Sequence, residues 1–212
     1  MPSSTGTQRA RERRRLPPEE RRAQLLDMAL HVFARSGLGQ ARHAEIAAEA
    51  GVAVSTVFLY FPTREALVAA VLDDVERLYL DLLDRTLSQQ PSARAALEAM
   101  AEVFLASLET NLPHALVWLD WSTSFRAEYW RRFLRFMERI LKRVEDTIRS
   151  GQREGSIGAG RDPNASARLF VGAAQMAVQM KLTGADAEAI ARLSRTIVEA
   201  TLGGPGRRAA AS

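Results

Sequence analysis

The 212-residue sequence has no cysteine, only three histidines, and only two lysines, Lys142 and Lys181. Without cysteine there is no disulfide framework, no thiolate chemistry and no cysteine-based zinc site, which fits a reducing compartment. His31, His43 and His114 are the only imidazoles. There is no G-x-S-x-G and no phosphate-binding loop, and GLGQAR at 37–42 has too few glycines for a dinucleotide site. No enzyme is therefore expected, and no catalytic residue, metal site or cofactor is assigned. No apolar run approaches the roughly 18 residues that span a bilayer, and no apolar signal segment follows the basic N-terminus, so a cytoplasmic protein is expected. The alternating pattern of a half-buried strand is missing throughout, as are internal repeats and long heptad runs.

What is present is 47% hydrophobic and 25% charged residues, a globular balance with enough apolar surface for a sizeable core. The length suits one ordinary domain or a small module joined to a larger one. Net charge is only +4, but its distribution is uneven: residues 1–22 hold seven arginines against three glutamates and so carry all of it. Such an arm attracts polyanions, either nucleic acid or an acidic membrane surface. A solvated tail is the alternative.

The chain predicts an all-α fold of about nine helices. Pro17-Pro18-Glu19-Glu20 opens a first helix over 19–36, with prolines at its start and acids facing the positive end of its dipole. Gly37 and Gly39 supply the turn after it. Short helices follow over 44–50 and 55–61 with Gly51 between them, and Thr63 caps a fourth that runs to Ser88. Helical spacing then recurs over 93–110, 113–125, 127–153, 163–183 and 187–202. The expected organisation is a basic arm at 1–18, a three-helix head at 19–65, a larger helical body at 66–203 and a disordered tail at 204–212.

Ala47, Gly51 and Val57 have the spacing of a helix-turn-helix. The alanine lets two helices cross closely, the glycine can take the positive φ of the turn, and the valine seals the underside with Ile46 and Val52. Two core helices joined by a glycine turn would show the same triplet. The residues around it favour the first reading. With Val57 and Phe61 inward, Ser55, Thr56, Leu59 and Tyr60 share the opposite face. Ser55 and Thr56 can bond base edges or phosphate, Leu59 can meet thymine methyls, and the Tyr60 hydroxyl can reach a phosphate. Thr63 and Arg64, beside this helix, offer a capped amide site and a positive charge.

These stretches, above all HAEIAAEAGVAVSTVFLYFPTREALV, resemble the TetR family of bacterial transcription regulators. They are most similar to its LuxR/HapR branch of quorum-sensing regulators in His43–Ala47, Val57–Glu65 and Val117–Ser122. The resemblance implies that Arg13 and Arg15 enter a minor groove, where AT-rich sequence attracts arginine. It implies a homodimer formed through the last two helices, binding double-stranded DNA. It also implies a small apolar ligand in a pocket at Trp118 and Trp121, with Tyr79, Leu83, Met100, Phe133, Met137 and Phe170 as further lining. From spacing alone these eight are equally well ordinary core. Two positions depart from the branch: Leu59 stands where it has an asparagine able to read a base, and Met137 replaces a polar residue.

The expected function is a TetR-type regulator, a homodimer on a pseudo-palindromic operator, quorum-sensing or global in role. Two alternatives stand beside it. One is a local repressor of an efflux or metabolic operon, released by a small apolar ligand. The other is a membrane-surface or protein-docking module built on the basic arm.

Overall fold

The computed structural model describes residues 16–124 and 126–203, so Arg13, Arg15 and the 204–212 tail lie outside the described residues. Among these residues there are nine helices and no strand. Helix α1 (Pro18–Ser36) has proline at its start and Glu19 and Glu20 in its first turn, and it ends at Gly37, φ 78°, whose N–H returns to the Phe33 carbonyl at 2.8 Å. Helix α2 (His43–Ala50) stops at Gly51, φ 62° and ψ 37°, a left-handed turn that glycine adopts without steric cost. Helix α3 (Val54–Tyr60) follows at once. Helix α4 (Arg64–Ser88) is capped by Thr63, whose Oγ1 accepts from the Ala66 N–H at 3.0 Å.

The remaining helices are α5 (Ala93–Thr110), α6 (Leu112–Ser122), α7 (Ala127–Glu154), α8 (Pro163–Leu182) and α9 (Ala187–Leu202). Ser92, Asp162 and Asp186 cap α5, α8 and α9 through side-chain oxygens that accept backbone N–H groups. Helix α6 ends three residues short of its expected limit. There the Ser122 and Thr123 hydroxyls donate to the Leu119 and Asp120 carbonyls at 2.7 and 3.0 Å, competing with the helical ladder.

Helices α1 to α3 form a small head whose centre holds Leu25, Ala29, Phe33, Ile46, Val57 and Phe61. Val57 is fully buried, which contributes roughly 1.5–3 kcal/mol relative to leaving it in water. The 25-residue α4 starts beside the head and continues into the body, where α5, α6 and α7 pack against it and α8 and α9 pack on α5. Close packing in the body requires glycine at 151, since a Cβ there would lie 2.5 Å from Ile157 Cδ1.

Head and body meet where α1 packs on α6. The Leu38 N–H donates to Asp120 Oδ2 at 2.8 Å, and the Arg64 guanidinium donates to the Leu38 carbonyl. The turn after α1 is thus held from the body on one side and from the start of α4 on the other.

Candidate nucleic-acid interface and buried cavity

Seven residues make α3, barely two turns, so its orientation is imposed by what it buries. Val57 and, just past the helix, Phe61 point into the head. Ser55 is exposed, Leu59 is 75% exposed, and Thr56 and Tyr60 are half-buried, Tyr60 against the core. The structure therefore brings all four expected contact residues to one helix, two of them fully open.

Phe58 was not among them, yet it is 47% exposed. Its ring stacks on His43 with centroids 4.2 Å apart and planes 5° from parallel. His43 itself is buried, with Nε2 2.9 Å from the Phe61 carbonyl oxygen, so that nitrogen carries a hydrogen and donates. With Val54, Phe58 and Leu59 the helix shows water a contiguous apolar patch, which in soluble proteins marks a surface used for contact. The signal in the sequence was that Phe58 lies four residues after Val54 and three after Ser55, on the outward arc. Arg64 behaves otherwise than expected. Its guanidinium is part-buried and donates to the Leu38 carbonyl, so its charge is turned toward the chain's own backbone. Thr63 stays exposed and caps α4.

In the body, side chains from α4 to α9 line a half-open cavity of about 100 Å³. Tyr79, Leu83, Met100, Trp118, Met137 and Phe170 stand on its wall. Phe104, Ile140, Leu193 and Ile197 join them, residues that sequence reasoning missed although Phe104 lies one helical turn beyond Met100. No charged side chain lines the space.

Trp121 and Phe133, expected on this wall, are not there. Trp121 is fully buried, its Nε1 donates to the Tyr129 carbonyl at 2.8 Å, and its ring stacks on Phe136 at 5.6 Å. Phe133 packs between Trp121 and Trp130, with centroids at 5.5 and 5.7 Å. The aromatic crowd of α6 and α7 thus divides. Trp118 joins Tyr79 and Phe104 at the cavity, Trp121 and Phe133 pack as solid core with Trp121 under the Arg132 guanidinium, and Phe136 stands between the two groups, stacked on Trp121 and part of the cavity wall.

Burial pushes the Tyr79 phenol pKa up, so this hydroxyl stays protonated at neutral pH. Outside the cavity, His114 Nε2 lies 3.0 Å from Asp74 Oδ2. That hydrogen bond, outweighing desolvation, holds the Asp74 carboxyl below its ordinary pKa.

Helix α8 packs on α7 and α9 through one face and leaves another open. On the open face Leu169 is 59% and Met176 48% exposed, with Gly172 between them and nothing within 4 Å of where its Cβ would stand. Among the described residues no group of His, Cys, Asp and Glu could hold a metal ion, and no single helix is long and apolar enough to cross a membrane.

Comparison with known proteins gives concordant results. The family described as bacterial regulatory proteins, tetR family, matches residues 25–71, which span α1 from Leu25 through the first third of α4. The chain is 35% identical over 162 residues to the HTH-type transcriptional regulator LuxR of Vibrio harveyi, across 76% of this chain and 79% of that protein. Among solved structures it is similar to the transcriptional regulator FadR of Bacillus subtilis in complex with stearoyl-CoA, with TM-score 0.73, 21% identity, and coverage of 86% of this chain and 98% of that one. A transcriptional regulator of Saccharomonospora viridis in complex with choline gives TM-score 0.77 and 21% identity, across 90% of this chain and all of that one. At those identities the two structures share the fold.

Proposed function

The chain belongs to the TetR family of bacterial transcriptional regulators, and from that premise we propose that it acts in the cytoplasm as a homodimer on a pseudo-palindromic operator, in a quorum-sensing or global regulatory role. Its LuxR-like sequence supports the role. The observation that carries the DNA-reading assignment is the open face of α3, with Ser55 and a 75% exposed Leu59 beside Phe58. A face made for water would not hold two large apolar side chains. In a major groove they have thymine methyls to meet, while Tyr60 and Thr63 reach phosphates.

One such helix covers only a few base pairs, so specific binding needs two, about 34–36 Å apart. The stripe of Leu169, Gly172 and Met176 on α8, together with α9, is the surface proposed to join the two copies. Arg13 and Arg15 are proposed to reach into the flanking minor groove. Homodimers and operator binding are typical of the family.

The cavity is proposed as the site of a small apolar ligand. Stearoyl-CoA and choline, bound by two structural neighbours, are chemically unlike each other, so neither identity transfers to this chain. A ligand changes operator binding only by its differential affinity for the DNA-competent and incompetent arrangements. Helix α6 offers a route, because Trp118 lies on the cavity wall and Asp120 on the same helix holds the head.

The same cavity favours a second reading, a local repressor released by a metabolite or drug-like molecule. Genome-wide mapping of bound sites tests both. Many promoters sharing one pseudo-palindrome are expected; binding confined to one adjacent operon would replace the global role with the local one. Absence of salt-dependent retention on duplex DNA, with retention on anionic vesicles, would overturn both in favour of membrane docking.

A further inference from the structure

Two polar atoms on side chains of the cavity wall are buried without a hydrogen-bond partner among the described residues, the Tyr79 hydroxyl and the Trp118 indole Nε1. Their residues are 7% and 4% exposed. The rings are neighbours, with centroids 5.8 Å apart, and Phe104 contacts both at 6.0 and 6.2 Å. Most buried polar side-chain atoms in proteins are paired, and an unpaired one costs stability that phenylalanine at the same position would not incur. Two such costs side by side on one cavity call for an explanation.

Both atoms are donors. The indole N–H can only donate, and the Tyr79 phenol, kept protonated by burial, donates as well. What they lack is an acceptor. The rest of the wall supplies no positive or negative charge, and Ser194 is its only other polar side chain. An ionic group drawn into this space would lose its hydration and find nothing to pair with.

We infer that the cavity takes an uncharged, apolar molecule bearing a carbonyl oxygen, which accepts hydrogen bonds from Tyr79 Oη and Trp118 Nε1. The inference rests on the reading of the cavity as a ligand site and names the chemistry of that ligand. Size adds a constraint. At about 100 Å³ the space is smaller than the roughly 150 Å³ that encloses a benzene ring, so a larger ligand either extends through its open side or displaces the wall. A ligand that displaces Trp118 moves α6 and so gains the differential affinity a regulator requires.

Acetophenone and ethylbenzene share a skeleton and differ at the carbonyl, so the ratio of their affinities isolates the acceptor from apolar burial. Calorimetric titration of the full-length chain is carried out with both, with choline and octanoate as charged comparisons, on the parent, Tyr79→Phe and Trp118→Phe. The acetophenone-to-ethylbenzene affinity ratio is expected to fall about tenfold in Tyr79→Phe, the usual scale of one hydrogen bond. Without ligand, Tyr79→Phe is expected to melt no lower than the parent, since no bond is lost. A ratio unchanged in both variants, or choline or octanoate binding more tightly than acetophenone, would overturn the inference while leaving a ligand site in place. If none of the four probes binds, the ligand-site reading falls and the inference with it.

Discussion

The backbone N–H of Leu38 and the Oδ2 of Asp120, eighty-two residues apart in the chain, lie 2.8 Å from each other. Leu38 sits in the turn that closes α1 of the head, and Asp120 sits on α6, two residues past Trp118 of the cavity wall. A single charge-assisted hydrogen bond therefore connects the proposed DNA-binding unit to the helix a ligand would move. Gly37 is favoured there by its backbone, φ 78°, and not by lack of room, since a Cβ would meet Asp120 Oδ1 at 3.5 Å, an ordinary contact.

Replacing that carboxylate tests the connection. Asp120→Ala leaves the part-buried Leu38 N–H unpaired and is expected to lower stability by about 1–3 kcal/mol, measured by urea unfolding. Asp120→Asn keeps an acceptor and is expected to recover most of that. If α6 transmits ligand binding, Asp120→Ala also shrinks the change in operator affinity on adding a cavity ligand. An undiminished ligand effect would move the coupling to another part of the head–body boundary.

On α3, base reading and phosphate anchoring separate by substitution. Leu59→Asn restores an amide able to read a base and is expected to change the preferred base at one operator position by about 1–3 kcal/mol. Tyr60→Phe is expected to weaken all sequences alike. Selection from random duplexes measures both. The same consensus for parent and Leu59→Asn would remove Leu59 from the base-reading face.

Deleting residues 1–15 removes five arginines. Operator affinity is expected to fall, and the slope of log affinity against log salt to flatten by roughly 0.9 for each phosphate that the arm neutralises. The melting temperature is expected to stay put, because the described helical core begins beyond the cut. An unaltered slope would make the arm a passive tail.

Association of two copies is tested on α8. Leu169→Glu and Met176→Glu place a carboxylate where each side chain is about half exposed in the single chain. Burying either apolar side chain in an interface is worth up to about 1.5–3 kcal/mol, so each change is expected to raise the dimer dissociation constant tenfold or more. Sedimentation at micromolar concentration reads this directly. Variants that remain dimeric with parental affinity would place the interface elsewhere.

The helices and their limits were legible because their signals are local. Pro18 with its following acids, the caps Thr63, Ser92, Asp162 and Asp186, and the left-handed Gly51 each act within one turn of the residue itself. The miss at the end of α6 is informative for the same reason, since apolar spacing carried on while the hydroxyls of Ser122 and Thr123 drew the carbonyls away. Helical period also sufficed to set Val57 and Phe61 inward and Leu59 outward.

Period cannot say what a side chain meets from elsewhere in the chain. Phe58 is kept at the surface by stacking on His43, fifteen residues earlier, and Arg64 is drawn to the carbonyl of Leu38, twenty-six residues earlier. Trp118 and Trp121 are alike in composition, helix and hydrophobicity. One faces the cavity and the other is sealed against Phe136, because the three-residue step between them rotates the second ring toward α7. The amino-acid sequence by itself determined the helices of the described residues, the turn at Gly51 and the outward arc of α3, since backbone capping and helical periodicity are short-range and additive. Only the tertiary structure decided which aromatic rings line an empty space, which donors in it go unpaired and which arginine is held inward, since those depend on how helices distant in the chain cross.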